Sequence, residues 1–519
     1  MAIKVASVEQ VRQVEAAADQ RGLSYAQLME NAGVAACSLL LERVAIDEST
    51  YVLFLIGKGN NGGDGLVMAR LLAQRSPAQI HLLLLEARPP DDETFRAVTA
   101  AGIAWTVAAD ENADAVLREL AGEADVIVDA LLGIGGRPPL RANMKQALNS
   151  LRAATKETNP FVLAIDCPSG SDCDTGEIDA AALPADVSIS FIAAKPGLLT
   201  FPAAAAVGEL VVAQIGIADE LDELRRLSTM VMDAALARSL LPARPLDGHK
   251  GSFGKAMLVA GCANYIGAVA LAGEAACRSG AGLVTVATTQ QLVEVVASGL
   301  REPTWLPLDA VDGCIAADAA QTVSESARVY QSLLVGCGLG LHESTQAFVR
   351  RLLDSELPPL LLDADALNCL SSLPDFWTRL PADTIITPHL GEMARLTRRS
   401  IAEITADRWA FARRYAERWG LVLLLKGAHT LIAAPDGRMS VIPFKTDALG
   451  TAGTGDVLAG LVVGLSAQGL DAFDSARLGA YIHALAGVLA AQTVGSSRAV
   501  IASDVLGALG RAFATTEVG

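Results

Sequence analysis

The sequence lacks the cysteine patterns that hold metal-bound or small secreted domains together. Its 519 residues include eight cysteines, none of them in a C-x-x-C pair, at positions 37, 167, 173, 262, 277, 314, 337 and 369. Neither a zinc site nor a disulfide framework is indicated by this scattered spacing. The cysteine usage fits a protein of the reducing cytoplasm.

Positive charge is also scarce. Lys and Arg number 41 against 58 Asp and Glu, and the formal net charge of −17 argues against nucleic acid or an anionic membrane surface as a partner. The N-terminal segment has no apolar signal core, and the apolar run over residues 457–470 is too short to span a bilayer. We therefore expect a cytoplasmic protein that holds any phosphate ligand with backbone amides, helix ends and a few lysines.

Aromatic residues make up only 4% of the chain, whereas hydrophobic residues, mostly Ala, Leu and Val, make up 51%. This composition suits helices packed on parallel sheets. The length exceeds what one ordinary core supports. A charged stretch over residues 219–226 places the boundary near residue 225, so we expect two three-layer α/β domains, 1–225 and 226–519.

The first half opens with a phosphate-binding pattern. A strand over residues 51–56 runs into a glycine-rich loop, 57–65, and then into a helix predicted for 66–74. Strand, glycine loop and helix in this order are typical of a Rossmann-like domain.

The spacing in this loop leaves a nicotinamide-dependent dehydrogenase open as an alternative. Gly57, Gly59 and Gly62 satisfy G-x-G-x-x-G, and Glu86 closes the next predicted strand, where a ribose-binding acid would lie. The dehydrogenase fingerprint needs only small residues, however, and this loop adds the polar side chains Asn60, Asn61 and Asp64. We therefore expect it to bind more than a pyrophosphate.

Polar side chains also follow three later strands of this half. Asp129, Asp166 and Lys195 each lie at or just beyond a predicted carboxyl end, where ligands bind in open α/β sheets. One such Asp is more often a helix cap or a loop brace, but two of them beside an Asn-rich loop favour a binding site. Asn61, Asp129 and Ser169 offer hard oxygen ligands without a soft one, which points to an alkali or alkaline-earth ion.

The second half repeats the pattern of short apolar strands that end in polar loops, with strands predicted over 256–260, 283–287, 333–335, 360–362, 384–386 and 421–425. Residues 450–456 are mostly small and lead into a predicted helix. The exposed N–H groups at the start of that helix would form an anion-binding site. Asp456 at this end is either an N-cap or a base that accepts a proton from a hydroxyl. Lys426 is expected to face a phosphate, whereas His389 by itself is more simply explained as a capping residue. On these features alone, this half is a ribokinase-like small-molecule kinase.

Three stretches of the first half, Gly-Asn-Asn-Gly-Gly-Asp-Gly, the Asp129 loop and Asp166-x-Pro-Ser-Gly, resemble the YjeF N-terminal family, the epimerases of hydrated nicotinamide dinucleotides. The resemblance implies a potassium ion at Asn61, Asp129 and Ser169. It also implies that Asp166 binds the substrate near the reacting ring. Lys195 is a further catalytic candidate because it follows a strand toward the same crevice, and the alternative for it is a surface lysine before a turn. The further substrate-binding positions that it implies are Asn60, Asn61, Gly62, Gly63, Asp64, Gly133, Ile134 and Gly135.

Six ordered motifs of the second half, among them Thr-Pro-His-x-Gly-Glu-Met, Lys-Gly-Ala-His-Thr and Gly-Thr-Gly-Asp-Val-Leu-Ala-Gly, are similar to the ribokinase-like ADP- or ATP-dependent NAD(P)H-hydrate dehydratases. Cys337 stands where that family more usually has Pro. The resemblance implies a catalytic Asp456 and contacts of Ala268, Gly340, His389 and Asp456 with the hydrated dinucleotide. The implied adenine-nucleotide residues are Lys426, Gly427, Ala428, His429, Thr430 and Gly455.

The two resemblances together predict a two-domain repair enzyme for hydrated NADH and NADPH. The ligands implied are potassium, Mg²⁺ with ADP or ATP, and the hydrated cofactors, and we also expect a homo-oligomer. Three alternatives stay open from the residues alone: the dehydrogenase, the kinase fused to a nucleotide-binding Rossmann-like module, and a nucleotide-sensing scaffold without activity.

Overall fold

The computed structural model describes residues 3–108 and 113–518. The chain divides into two compact units, Ile3–Ser228 and Thr229–Gly519, near the boundary expected at residue 225. Within the described ranges, no helix combines the length and the apolar character that crossing a membrane requires.

The described elements of the first unit follow one another in an alternating pattern. They are α1 (Val8–Gln20), α2 (Tyr25–Arg43), β1 (Tyr51–Ile56), α3 (Asn60–Arg75), β2 (Gln79–Leu84), α4 (Glu93–Ala100), β3 (Ala104–Val107), α5 (Ala113–Glu123), β4 (Val126–Ala130), α6 (Ala142–Ala154), β5 (Phe161–Ile165), β6 (Val187–Phe191), β7 (Glu209–Ala213) and α7 (Asp222–Arg225).

Their strands form a parallel sheet in the order β3-β2-β1-β4-β5-β6-β7. Alternate residues of β1 enter two different cores, Phe54 on one face of the sheet and Leu53 and Leu55 on the other. Helices therefore cover both faces, as the three-layer prediction required. The strand order reverses between β1 and β4, which opens a crevice at their carboxyl ends.

The described elements of the second unit begin with an edge strand. They are β8 (Thr229–Val231), α8 (Ala234–Leu240), β9 (Lys255–Val259), α9 (Ile266–Arg278), β10 (Leu283–Thr289), α10 (Gln290–Val296), β11 (Thr304–Leu308), β12 (Ala310–Val311), β13 (Cys314–Ile315), α11 (Ala319–Ala327), β14 (Ser332–Val335), α12 (Glu343–Leu352), β15 (Leu360–Leu362), α13 (Ala364–Leu370), β16 (Ile385–Ile386), α14 (Leu390–Thr397), α15 (Ile401–Ala406), α16 (Arg408–Trp419), β17 (Val422–Leu425), β18 (Leu431–Ala433), β19 (Met439–Val441), α17 (Thr454–Ala467), α18 (Ala472–Val494) and α19 (Ala502–Val518).

The main sheet of this unit has the order β11-β10-β9-β14-β15-β16-β17-β18-β19-β8. The first seven strands of this order, β11-β10-β9-β14-β15-β16-β17, pair in parallel. Leu258 and Val259, which point to opposite faces of β9, are both buried. The α/β class predicted for both halves is therefore confirmed. The pairs β17–β18 and β18–β19 are antiparallel, because the loops that join them, residues 426–430 and 434–438, are too short for a crossover connection.

Two helices begin earlier than the sequence predicts. Helix α3 starts at Asn60, so residues 60–65, expected in a loop, form its first turns. A Cβ atom at Gly63 would lie 2.6 Å from the Cε of Met29, and one at Gly65 would lie 2.6 Å from the Cβ of Ala130. These glycines therefore allow close packing of a helix rather than a flexible loop.

Helix α17 starts at Thr454, and its N-cap is Gly453 in the left-handed conformation, with φ of 92°. Asp456 is thus the third residue of the helix. The N-cap alternative for Asp456 is wrong, because Gly453 occupies the N-cap position. Glycine adopts the left-handed conformation found there at far lower cost than aspartate.

Candidate active sites

A cavity of about 980 Å³ lies where the strand order of the first unit reverses. The predicted residues that line it are Asn60, Asn61, Asp64, Gly133, Ile134, Gly135, Asp166 and Lys195. Gly62 and Gly63 are buried within α3 instead, where Gly62 packs against the Gly57 carbonyl. The loops after β1, β4, β5 and β6 therefore meet at one site, as carboxyl ends of parallel strands do.

Asp166 and Lys195 form a buried ion pair on the floor of this cavity. The Nζ of Lys195 lies 2.7 Å from Oδ1 of Asp166, and it also donates to Ser190 Oγ at 2.8 Å. Burial, the largest single influence, lowers the pKa of Lys195, but Asp166 together with Cys173 and Cys167 raises it overall. The ammonium therefore stays charged, and it holds the carboxylate in a defined orientation.

The backbone of Asp166 has a φ of 68°, a left-handed conformation that a non-glycine residue adopts at a cost of about 1–3 kcal/mol. Its Oδ2 accepts a hydrogen bond from the Ile134 N–H at 2.8 Å. A Cβ atom at Gly133 would lie 2.8 Å from the same Oδ2 and 3.1 Å from Oδ1 of Asn61. Glycine at 133 therefore lets the two side chains approach the same stretch of backbone.

Asp129 and Ser169 are fully buried and in direct contact. The Oγ and N of Ser169 donate to the two carboxylate oxygens of Asp129 at 2.6 and 2.8 Å. Burial raises the pKa of Asp129 although these hydrogen bonds act the other way. Both amide atoms of the Asn61 side chain are buried without a hydrogen-bond partner among the described residues. Such orphaned polar atoms are costly unless a ligand satisfies them.

Two further carboxyl groups face this site. Asp64 lines the cavity, and burial followed by the charges of Asp166 and Glu15 raises its pKa well above the usual range. Glu15, on α1, lines the same cavity, and its pKa is raised by burial and by Asp166. Sequence reasoning missed Glu15, because α1 has an ordinary amphipathic pattern and only the packing of the unit brings it to the cavity.

The second unit gathers its site around the ends of β14 to β17 and the start of α17. The Nζ of Lys426 lies 2.5 Å from Oδ1 of Asp363, which also accepts from Thr387 Oγ1 at 2.8 Å. Burial, the largest single influence, lowers the pKa of Lys426, but Asp363 together with Glu392 and Cys337 raises the pKa overall. A Cβ atom at Gly455 would lie 3.4 Å from the same Nζ. The lysine predicted to face a phosphate therefore lies at the helix end predicted to bind it.

Asp456 is half-buried next to the Lys426–Asp363 ion pair. Burial, followed by the negative charge of Asp363, raises the pKa of Asp456 to about 6. The Cys337 thiol interacts with the Asp456 carboxylate and lowers this pKa in turn. A carboxyl group with a pKa near neutrality is suited to accept a proton from a reacting hydroxyl.

Three of the four predicted dinucleotide residues, Ala268, Gly340 and Asp456, lie in or next to the loop over residues 336–340. A Cβ at Gly338 would lie 2.8 Å from the Cβ of Ala268, and the Gly340 N–H donates to Asp365 at 2.8 Å. His389 is the N-cap of α14, where its Nδ1 accepts from the Gly391 N–H at 2.9 Å. Its imidazole is half-exposed, and Nε2 lies 3.4 Å from Oε1 of Glu392.

The loop from Lys426 to Thr430 presents little free side-chain chemistry of its own. Lys426 is paired with Asp363, and Thr430 Oγ1 donates to the Gly427 carbonyl at 2.9 Å. His429 is buried, with Nδ1 3.0 Å from the Ile442 carbonyl, and burial lowers its pKa to about 4. We therefore expect His429 to contribute through its backbone. Sequence reasoning left Asp363 out of the site, although it ends a buried strand in the same way as Asp129.

Comparison with known proteins supports the class of enzyme that these sites indicate. Residues 25–197 match the family described as YjeF-related protein N-terminus, and residues 256–508 match NAD(P)H-hydrate dehydratase. The bifunctional NAD(P)H-hydrate repair enzyme Nnr of Moorella thermoacetica is 37% identical over 92% of this chain and 90% of its own length. The enzyme of the same name from Escherichia coli is 36% identical over 95% and 91%. An ADP/ATP-dependent NAD(P)H-hydrate dehydratase from Bacillus subtilis, crystallised with ATP and Mg²⁺, covers 55% of this chain and 98% of its own at 30% identity and a TM-score of 0.48.

The chain therefore joins an epimerase-type unit to a dehydratase-type unit in one polypeptide. It belongs to the family of bifunctional NAD(P)H-hydrate repair enzymes. The resemblance predicted from the motifs is thus confirmed, and the scaffold, dehydrogenase and kinase alternatives are not needed to explain the two sites.

Proposed function

We propose that the first unit interconverts the two epimers of hydrated NADH or NADPH, and that the second unit dehydrates one of them with ADP or ATP. The observation that carries this proposal is that each half has a buried Lys–Asp pair in its site: Lys195 with Asp166, both of which were predicted, and Lys426 with Asp363, of which only Lys426 was predicted. A carboxylate held next to a fixed positive charge can exchange protons at one defined position.

In the first unit, Asp166 moves a proton while the stereocentre of the hydrated ring is lost and formed again. Lys195 orients the carboxylate through a hydrogen bond to Oδ1, and the Ile134 N–H donates to its second oxygen. Asn60, Asn61 and Asp64 bind the dinucleotide from the first turns of α3, where the helix dipole favours its phosphates.

We also propose that Asn61, Asp129 and Ser169 hold a potassium ion. The orphaned amide oxygen of Asn61 and a buried carboxylate without a cationic partner among the described residues fit a hard, singly charged ion. When bound, such an ion supplies a fixed positive charge that stabilises the negative Asp129 in the interior. Asn61, Asp129 and Ser169 come from the carboxyl ends of β1, β4 and β5, so a bound ion would connect these three segments.

In the second unit, the ring hydroxyl of the hydrate is a poor leaving group. We propose that it takes a phosphoryl group from the nucleotide and is then eliminated as phosphate, which restores the reduced nicotinamide. Asp456 accepts the hydroxyl proton, while Lys426 and the first N–H groups of α17 stabilise charge on the phosphoryl group. Mg²⁺ would enter with ADP or ATP and would neutralise part of the phosphate charge during the transfer.

One assay tests both activities. Mixed epimers of hydrated NADH are incubated with the protein and Mg²⁺ with ADP or ATP, and the absorbance band of reduced nicotinamide is followed. Complete conversion of both epimers, with one nucleotide cleaved per cofactor restored, is the expected result. Release of a stable phosphorylated product would replace the dehydratase by the kinase. The homo-oligomer and the cytoplasmic location stay predictions.

A further inference from the structure

Arg408 places a guanidinium with unused donors beside the loop from Lys426 to Thr430. It is the first residue of α16, and its Nη1 donates to the Ala428 carbonyl at 3.1 Å. Nε and Nη2 are buried and have no hydrogen-bond acceptor among the described residues. Burial lowers the pKa of Arg408, and within the same ranges no carboxylate pairs with it. A buried charge in this state destabilises the free protein.

The two unused donors lie on one edge of the guanidinium. Nε–H and the neighbouring Nη2–H point in the same direction, and this fork matches two oxygens of a phosphate or carboxylate. The Nη1 side is already used by Ala428. The arrangement therefore leaves the edge that binds anions most strongly buried and without an acceptor among the described residues.

The position of the guanidinium connects it with the nucleotide loop. A Cβ atom at Gly427 would lie 2.9 Å from Nη2 of Arg408, so the side chain packs directly on the backbone of that residue. The loop's own polar side chains are engaged elsewhere, Lys426 with Asp363 and Thr430 with the Gly427 carbonyl. Arg408 thus brings to this loop an unpaired fork that none of the loop's own side chains offers.

We propose that Arg408 is a phosphate-binding residue of the adenine-nucleotide site. This inference rests on the proposed role of the loop in binding ADP or ATP. Arg408 is half-buried as a whole, so rotation of its side chain brings the closed-off edge to a phosphate without unfolding α16. The nucleotide phosphate then provides the acceptor and the negative charge that the free protein lacks.

The test compares adenosine, AMP and ADP, each titrated calorimetrically into the full chain and into Arg408→Gln. Because the lost hydrogen bonds join charged groups, we expect the substitution to weaken the binding of AMP and ADP on the order of 10- to 100-fold. The affinity for adenosine should be unchanged. Arg408→Lys should recover only part of the loss, because an ammonium cannot form the fork. Arg414→Gln, on the exposed side of the same helix, is the matched control and should leave all three affinities unchanged.

Thermal melting without ligand separates binding from a structural role. Arg408→Gln should melt no lower than the wild type, because it removes an unpaired buried charge. A lower melting temperature, an equal loss for adenosine, or unchanged affinity for AMP and ADP would each overturn the proposal. If the wild type itself bound neither AMP nor ADP, the nucleotide site would fail instead, and this outcome is visible before any variant is made.

Discussion

The Nζ of Lys195 lies 2.7 Å from Oδ1 of Asp166, and the lysine side chain is 1% exposed. The second unit repeats this relationship between Lys426 and Asp363, at 2.5 Å. Removing one partner of a buried ion pair typically costs about 3–5 kcal/mol, because the other charge is left unpaired. Variants at these pairs therefore need a stability measurement beside the activity measurement.

Asp166→Asn should slow the exchange between the two hydrate epimers while dehydration of the favoured epimer continues, because the proposed activities lie in separate units. The loss of a general acid or base predicts a decrease of about 10²- to 10⁴-fold. Chromatographic separation of the epimers measures the exchange directly. The double variant Asp166→Asn/Lys195→Met, which removes the stranded charge, is the stability control. Exchange at the wild-type rate in a folded single variant would contradict the role of Asp166.

Asp129→Asn should abolish stabilisation by potassium. The wild type is expected to melt at rising temperature as potassium replaces a larger monovalent cation at constant ionic strength, because an ion that binds only the folded state stabilises it. The variant keeps the shape of the side chain but loses the charge that attracts the ion. Asp186→Asn is the control, since this exposed carboxylate accepts from the Val162 N–H at the opposite end of the sheet. Identical potassium dependence of wild type and Asp129→Asn would exclude this site.

Asp456→Asn should decrease the dehydration rate by about 10²- to 10⁴-fold and leave the nucleotide affinity unchanged. Gly453 caps α17, so the amide substitution leaves the cap and the first-turn N–H groups in place. Parallel measurements of turnover and of ADP binding test this separation. Near-normal turnover would reduce Asp456 to a residue of the helix terminus.

The pH dependence of dehydration should follow Asp456. With a pKa of about 6, raised by burial and by Asp363, the group loses its ability to accept a proton as the pH falls through 6. The rate should then decrease tenfold per pH unit. Cys337→Ala removes the thiol that lowers this pKa, so the acid limb should move to higher pH. Glu392→Gln is the control, because burial raises the pKa of Glu392 to about 7 and it would otherwise explain a limb in this range. If Glu392→Gln shifted the acid limb and Cys337→Ala did not, the limb would belong to Glu392, which would contradict the assignment to Asp456.

Asp456 also links stability to pH in a defined direction. Its folded-state pKa lies above the ordinary value of 3.8, so the folded protein binds more protons than the unfolded chain between about pH 4 and 6. Stability from this group is therefore greatest at low pH and decreases as the pH rises through this window. Denaturant unfolding of wild type and Asp456→Asn across pH 4 to 7 should show a difference that changes within the window and is constant above it.

The sequence by itself determined the two α/β units and most of the strands. The bounds of β1 and β15 agree with the prediction residue for residue, because continuous apolar segments followed by glycine or Asp are local signals of buried parallel strands. Motif residues such as Asn61 and Asp166 were also visible, since their chemistry is unusual for a loop.

Only the tertiary structure decided which side chains meet and what their charges do. Lys195 and Asp166 are 29 residues apart and meet because β5 pairs with β6, while Lys426 and Asp363 are 63 apart. The pKa of Asp456 and the unpaired edge of Arg408 depend on burial, which arises from packing between distant segments. Helix α3 likewise starts at Asn60, and its glycines pack closely against Met29 and Ala130. Local helix propensity does not contain such tertiary contacts.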